Sequence, residues 1–180
     1  HGALPTLASC AIGEICARTL FDYGELAAKA VRRNENNDAL DRVVEANTLL
    51  SGIGFESGGL ALAHALAVAF PAIKVVHDNY LHGEMVSMGT MAQLAILESD
   101  DQERVARFFA RVGLPINLEQ ISLSRQHHSD LDILVETALT RPPAWNMPKE
   151  MNHKVVREAI LDADSLGSVI AREIGDEAYK

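Results

Sequence analysis

Apolar residues recur at helical spacing from the front of the chain. Leu7, Ala11, Ile12, Ile15, Cys16 and Leu20 follow Pro5-Thr6 with the periodicity of an amphipathic helix, and Gly24 offers a C-terminal stop. The polar turn Asn34-Glu35-Asn36-Asn37 leads to Asp38, read as the cap of a second helix with Leu40, Val43, Val44, Asn47 and Leu50 on one side. Ser51 to Gly59 reads as a glycine-rich loop. Leu60 to Phe70 and Met85 to Leu97 are apolar nearly all round, which predicts helices buried on every side. Pro71 to Leu81, between them, is mixed and reads as irregular, although Ile73 to Val76 also suits a short strand. Beyond Asp100 the pattern is amphipathic again: Val105, Phe108, Phe109 and Val112 close at Gly113-Leu114-Pro115. A helix around Asp130 to Leu139, a loop with Pro142, Pro143 and Pro148, and a long terminal helix complete the chain. That last helix uses Val155, Val156, Ala159, Ile160, Ala163, Leu166, Val169 and Ile170.

This pattern predicts an all-α fold, a compact helical bundle forming a single domain over residues 1–180. A core site segment spans residues 52–97. No internal repeat, linker or low-complexity tract interrupts it. A chain of 180 residues buries a substantial core. Hydrophobic residues at 48% with aromatics at 5% fit an Ala- and Leu-rich helical protein. The most apolar stretch, Gly58 to Phe70, is too short to cross a bilayer and carries His64, so no membrane partner is expected. Nothing at the front reads as a secretory leader. A formal net charge of −9 disfavours nucleic acid, which needs clustered cations. The one basic run, Lys29, Arg32 and Arg33, reads as a positive helix end meeting the negative end of the dipole. Cys10 and Cys16, six residues apart on one helix, face different ways. They read as two buried thiols of a reducing cytoplasm rather than a disulfide.

Candidate chemistry concentrates between Gly52 and Leu97. His64 sits within an apolar helix and needs a partner, because an unsatisfied buried polar group costs a few kcal/mol, roughly 1–3 on mutational scales. His82 precedes Gly83-Glu84 at the mouth of the next buried helix. Neutral imidazole is the commonest ligand for zinc and related ions, and catalytic zinc commonly takes two histidines and a carboxylate. Spacing alone leaves two readings open: a pair of metal ligands, or a satisfied core histidine beside a helix-capping one. Of the nearby carboxylates, Glu84 is explained by the helix dipole, while Glu56 and Asp78 are weaker candidates for a third ligand. His77 reads as solvated or supporting, and His127, His128 and His153 as surface residues.

Two strings narrow the choice. Val44 to Ala65, with Gly54-Phe55-Glu56-Ser57-Gly58-Gly59-Leu60 followed by His64, and Leu81 to Thr90, with His82-Gly83-Glu84, resemble the glycerol dehydrogenases of the iron-containing (group III) alcohol dehydrogenase family. The likeness runs from the Pro5 helix through Leu114-Pro115 and Asn146-Met147-Pro148 into the last helix. It implies a two-domain enzyme, with an N-terminal nucleotide-binding domain for NAD and a C-terminal helical domain carrying a divalent metal, zinc or alternatively iron. The implied reaction is NAD-linked oxidation of a small polyol, glycerol to dihydroxyacetone, with the ion as Lewis acid. The family's metal ligands are an aspartate and two histidines; the histidines carry over onto His64 and His82, and the aspartate onto no residue here. His64 and Phe55 carry over as substrate-cleft positions, Phe55 also being readable as an ordinary core anchor. No cofactor-binding residue is expected in these 180 residues, since the Gly52 to Gly59 glycines do not open from a strand.

The chain is therefore expected to be part of a larger, cytoplasmic, oligomeric enzyme, inactive by itself and partnered by the missing nucleotide-binding domain. Two alternatives stand beside this. One is the metal domain of a dehydroquinate-synthase-like lyase. The other is a non-catalytic helical interaction module left from a truncated or split gene.

Overall fold

The computed structural model describes residues 4–175, 178 and 179. Among them every regular element is helical and there is no strand, as the pattern predicts. They fall into two compact units that divide between Gly59 and Leu60.

The first unit opens with α1, Leu7–Arg32. Thr6 caps it by accepting the Ser9 N–H at 3.1 Å, and Lys29 and Arg32 lie in its last turn, as the basic run predicts. Gly24 does not stop this helix: it is buried within it, beside the small buried residues Ala27 and Ala30, where helix packing outweighs local propensity. α2 spans Asp38–Glu45. Its cap is Asn37, whose Oδ1 accepts the Leu40 N–H at 2.9 Å, so Asp38 is the first helical residue rather than the cap. The chain then runs through a π turn, Ala46–Leu50, directly into α3, Ser51–Gly58.

The expected glycine-rich loop is thus a helix. Two of its glycines lie against α1 at ordinary contact distance: a Cβ on Gly54 would stand 3.9 Å from Ile12 and one on Gly58 3.7 Å from Ser9, while Gly52 faces open space. Only Gly59 uses a left-handed backbone (φ +77°), and it is there that the helix ends. Cys10 is exposed rather than buried. Cys16 is partly buried, its thiol donating to the Ala46 carbonyl at 3.5 Å, and burial raises its pKa.

The second unit begins with α4, Leu62–Ala69, closed by a 3₁₀ turn at Phe70–Ala72. Residues 74–79 form α5, Lys74–Asn79, a short helix in place of the irregular or strand segment expected. β-branched Val75 and Val76 suit a strand locally, but burial of Val76 in the core and i,i+4 bonds from Lys74 and Asn79 hold a helix. α6 spans His82–Ile96, α7 Gln102–Val112, α8 His128–Leu139 and α9 His153–Ile174.

The main core joins Leu62, Leu66 and Phe70 of the α4 segment, Met85 and Met88 of α6, Leu131, Leu134 and Val135 of α8, and Val156 and Ile160 of α9. A smaller cluster around Met91, Ala106, Ile116 and Ile170 seats α7. Two glycines set the closest approaches. A Cβ on Gly89 would lie 2.2 Å from the Ala63 carbonyl oxygen, and one on Gly167 would lie 1.7 Å from that of Ile116. Residue size at those points is fixed by neighbouring backbone.

Candidate metal centre

α4 enters the second unit as a small-residue helix whose first turn carries His64, and α6 begins on His82. Their imidazole centres are 6.0 Å apart, with the ring planes inclined at 55°. His64 is partly buried and His82 exposed. Burial first, and the neighbouring His82 second, lower the His64 pKa from its ordinary value of 6.5. Its ring is therefore neutral at neutral pH, the form that offers a lone pair to a cation.

With metal–nitrogen bonds of about 2.0–2.1 Å, two imidazoles on one tetrahedral ion have ring centres roughly 5 Å apart. The observed 6.0 Å stands about 1 Å wider than that, and both donors are of the type zinc-like ions take, so small side-chain adjustment brings the pair to ligating distance. Among the described residues, no group of three or more His, Cys, Asp or Glu side chains is arranged to hold a metal. The two histidines are brought together; a third ligand is not.

The other candidates have separate occupations. Glu84 Oε2 accepts the Leu81 N–H at 2.6 Å, closing the first turn of α6 behind His82. Asp78 takes the Lys74 ammonium at 2.6 Å and lies 3.1 Å from His77 Nδ1, and these contacts, Lys74 first, lower its pKa. Glu56 and Phe55 lie on α3 of the first unit; Glu56 is exposed, and half of the Phe55 surface (50%) is open to solvent. His127 and His128 are exposed at the start of α8. His128 Nδ1 is 2.8 Å from the Arg157 guanidinium, and His153, partly buried, stands 3.4 Å from Asp132.

Two groups around the site are not evident from the residue pattern. Gln93 Oε1 accepts the Ala63 N–H at 2.9 Å, and Asn146 Nδ2 donates to the Leu60 carbonyl at 2.8 Å. Further away, buried Asp164 accepts the Leu118 N–H at 2.9 Å and pairs with Arg125 at 2.7 Å. An acid within the apolar stripe of α9 is the one signal in the sequence that points to this pair.

The chain is similar to known enzymes over nearly all its length. It is 38% identical over 170 residues to glycolaldehyde reductase of Halobacterium salinarum, covering 92% of this chain and 46% of that protein. It is 39% identical over 175 residues to glycerol dehydrogenase of Escherichia coli, covering 96% and 47%. The crystal structure of glycerol dehydrogenase from Schizosaccharomyces pombe superposes with a TM-score of 0.88 at 35% identity, over 97% of this chain and 45% of that one. No protein-family model matches. The chain spans about half the length of the curated relatives it matches.

Fold and relatives together define the class, a helical domain from an oxidoreductase family. The chain is homologous to the proteins named glycerol dehydrogenase and glycolaldehyde reductase over about half their length and matches the helical C-terminal domain of glycerol dehydrogenase.

Proposed function

We propose that this chain is the metal- and substrate-side part of an NAD-linked polyol dehydrogenase acting on glycerol or a close relative. The observation that carries the reading is the pairing of His64 and His82 at 6.0 Å in a chain homologous to glycerol dehydrogenases. Both imidazoles would hold one divalent ion, zinc or alternatively iron. A bound ion of this kind supplies Lewis-acid polarisation of a substrate hydroxyl. His64 contributes a ring kept neutral by its surroundings, and Glu84 holds the helix start that presents His82. The third ligand, an aspartate in the family, lies outside these 180 residues, and the NAD site belongs to a nucleotide-binding domain that is also outside them. Phe55, ring half open, is assigned as a substrate contact on the strength of its exposure and its motif. We place the enzyme in the cytoplasm, and exposed Leu7, Leu26 and Val31 along α1 support its assembly as a homo-oligomer. No single helix among the described residues is long and apolar enough to cross a membrane.

Elemental analysis of the purified chain, beside a His64→Ala control, tests the site. Two histidines alone give weak retention, so trace zinc or iron that disappears in the control is expected. Tight stoichiometric metal in the chain alone would overturn the placing of the third ligand outside these 180 residues. Joining the chain to a nucleotide-binding domain from a relative should then give glycerol-dependent NAD reduction. Turnover of a sugar-acid phosphate instead would favour the lyase, and no activity in any such pairing would favour the interaction module.

A further inference from the structure

We propose that Gln93 is a positioning residue that fixes His64 against His82. The inference deepens the metal-site reading above and rests on it for its consequence, though not for its geometry. α4 starts at Leu62 after Ala61, a residue with no side-chain acceptor, so the first turn has no cap of its own. The N–H groups of a first turn have no intrahelical partner and need one from elsewhere. Gln93 supplies it, its Oε1 accepting the Ala63 N–H at 2.9 Å. Ala63 is the immediate neighbour of His64, and Gln93 lies on α6, the helix that His82 begins. One hydrogen bond thus ties the backbone beside the first imidazole to the helix bearing the second.

Packing holds much of this arrangement: Leu62 and Leu66 of α4 share one buried core with Met85 and Met88 of α6, and Ala63 approaches Gly89 closely. Apolar contact is non-directional, however, and at the Ala63–Gly89 approach itself the facing groups are small. A slide of half a turn is about 2.7 Å along the axis, enough to pull one imidazole off an ion held by the other. A hydrogen bond is directional and limited in length, so it adds a restraint on register to that of the packing. Asn146, holding the Leu60 carbonyl at 2.8 Å, fixes the approach to α4 but not its register on α6.

The test compares Gln93→Leu, which removes the acceptor at similar size, with Gln93→Glu, which keeps an acceptor oxygen. Two quantities are read. One is the nuclear Overhauser contact between the His64 and His82 ring protons in metal-free protein; the other is Zn²⁺ affinity by calorimetry. We expect Gln93→Leu to lose the ring-to-ring contact and about tenfold or more in affinity, the scale typical of groups supporting a ligand. Gln93→Glu should retain both. Wild-type contact and affinity in Gln93→Leu would overturn the proposal, as would equal losses in both variants. Should Gln93→Leu fail to fold, hydrogen exchange of the wild-type Ala63 amide decides: slow exchange supports the bond and fast exchange removes it. Wild-type protein that binds no Zn²⁺ would sink the metal reading, and the metal-free ring contact would then judge the positioning claim by itself.

Discussion

His64 gains most of its character from where it stands. Burial and a second imidazole both disfavour its protonated form, so its folded pKa lies below 6.5. In the window from 6.5 down through that lowered value the unfolded chain binds more protons than the folded one, and stability falls as pH falls. A histidine titration followed by NMR should place His64 below 6.5. In His82→Ala the value should rise only part of the way back, because burial is the larger cause. Gly89 is a second position where one atom matters. A methyl there would stand 2.2 Å from the Ala63 carbonyl oxygen, a backbone atom that gives way only if α4 moves. Gly89→Ala should cost about 1–3 kcal/mol, read as a lower thermal midpoint, and should weaken Zn²⁺ binding with it.

The helices themselves were largely readable from the sequence, for identifiable reasons. The periodic stripes of α7, α8 and α9 are long and unbroken, and the two apolar helices announce themselves by lacking a polar face, although α4 is not buried on every side: Val68 stays 47% exposed. The misreadings fall where local chemistry and packing disagree. Gly24, Gly52, Gly54 and Gly58 look like breakers, yet these glycines sit inside helices, and Gly54 and Gly58 pack against α1. Val75 and Val76 look like a strand until the core claims Val76. His64 and His82 stand out as conspicuous residue types in an apolar setting, and the structure brings their rings to 6.0 Å. Gln93 does not stand out, because its partner is a backbone N–H that no pattern displays. α9 offers two tests of element-level bonds. Asn152 caps it by accepting the Val155 N–H at 3.0 Å, and Asn152→Ala should cost about 1 kcal/mol in denaturant unfolding. Asp164→Ala leaves the Leu118 N–H without its acceptor and Arg125 without its carboxylate, and should cost about 1–3 kcal/mol by the same measurement.

For the molecule as a whole, ligand linkage is the informative experiment. An ion that binds the folded state alone stabilises it by about 2.7 kcal/mol at a hundredfold excess over its dissociation constant. Added Zn²⁺ should therefore raise the thermal midpoint of the wild-type chain at high concentration and leave His64→Ala unchanged. An equal rise in both would assign the effect to some other site. The described residues form two compact units, and both clustered cores lie in the second, where burial on this scale needs no ion to form.

The π turn at Ala46–Leu50 carries one further implication, for insertions and deletions. A π turn closes its hydrogen-bonded ring with one residue more than an α turn. Removing a single residue between Ala46 and Leu50 would let α2 and α3 merge as a regular α-helix. The π turn already absorbs one extra residue, so the deletion would leave the faces of α2 and α3 nearly in register, with Gly54 and Gly58 still against α1. A deletion within α3 itself would instead turn everything after it by about 100°. Loss of one residue is therefore more tolerable at this turn than inside the flanking α-helices, as it is at Asn34 to Asn37, where the backbone is already irregular and carries no face to misalign.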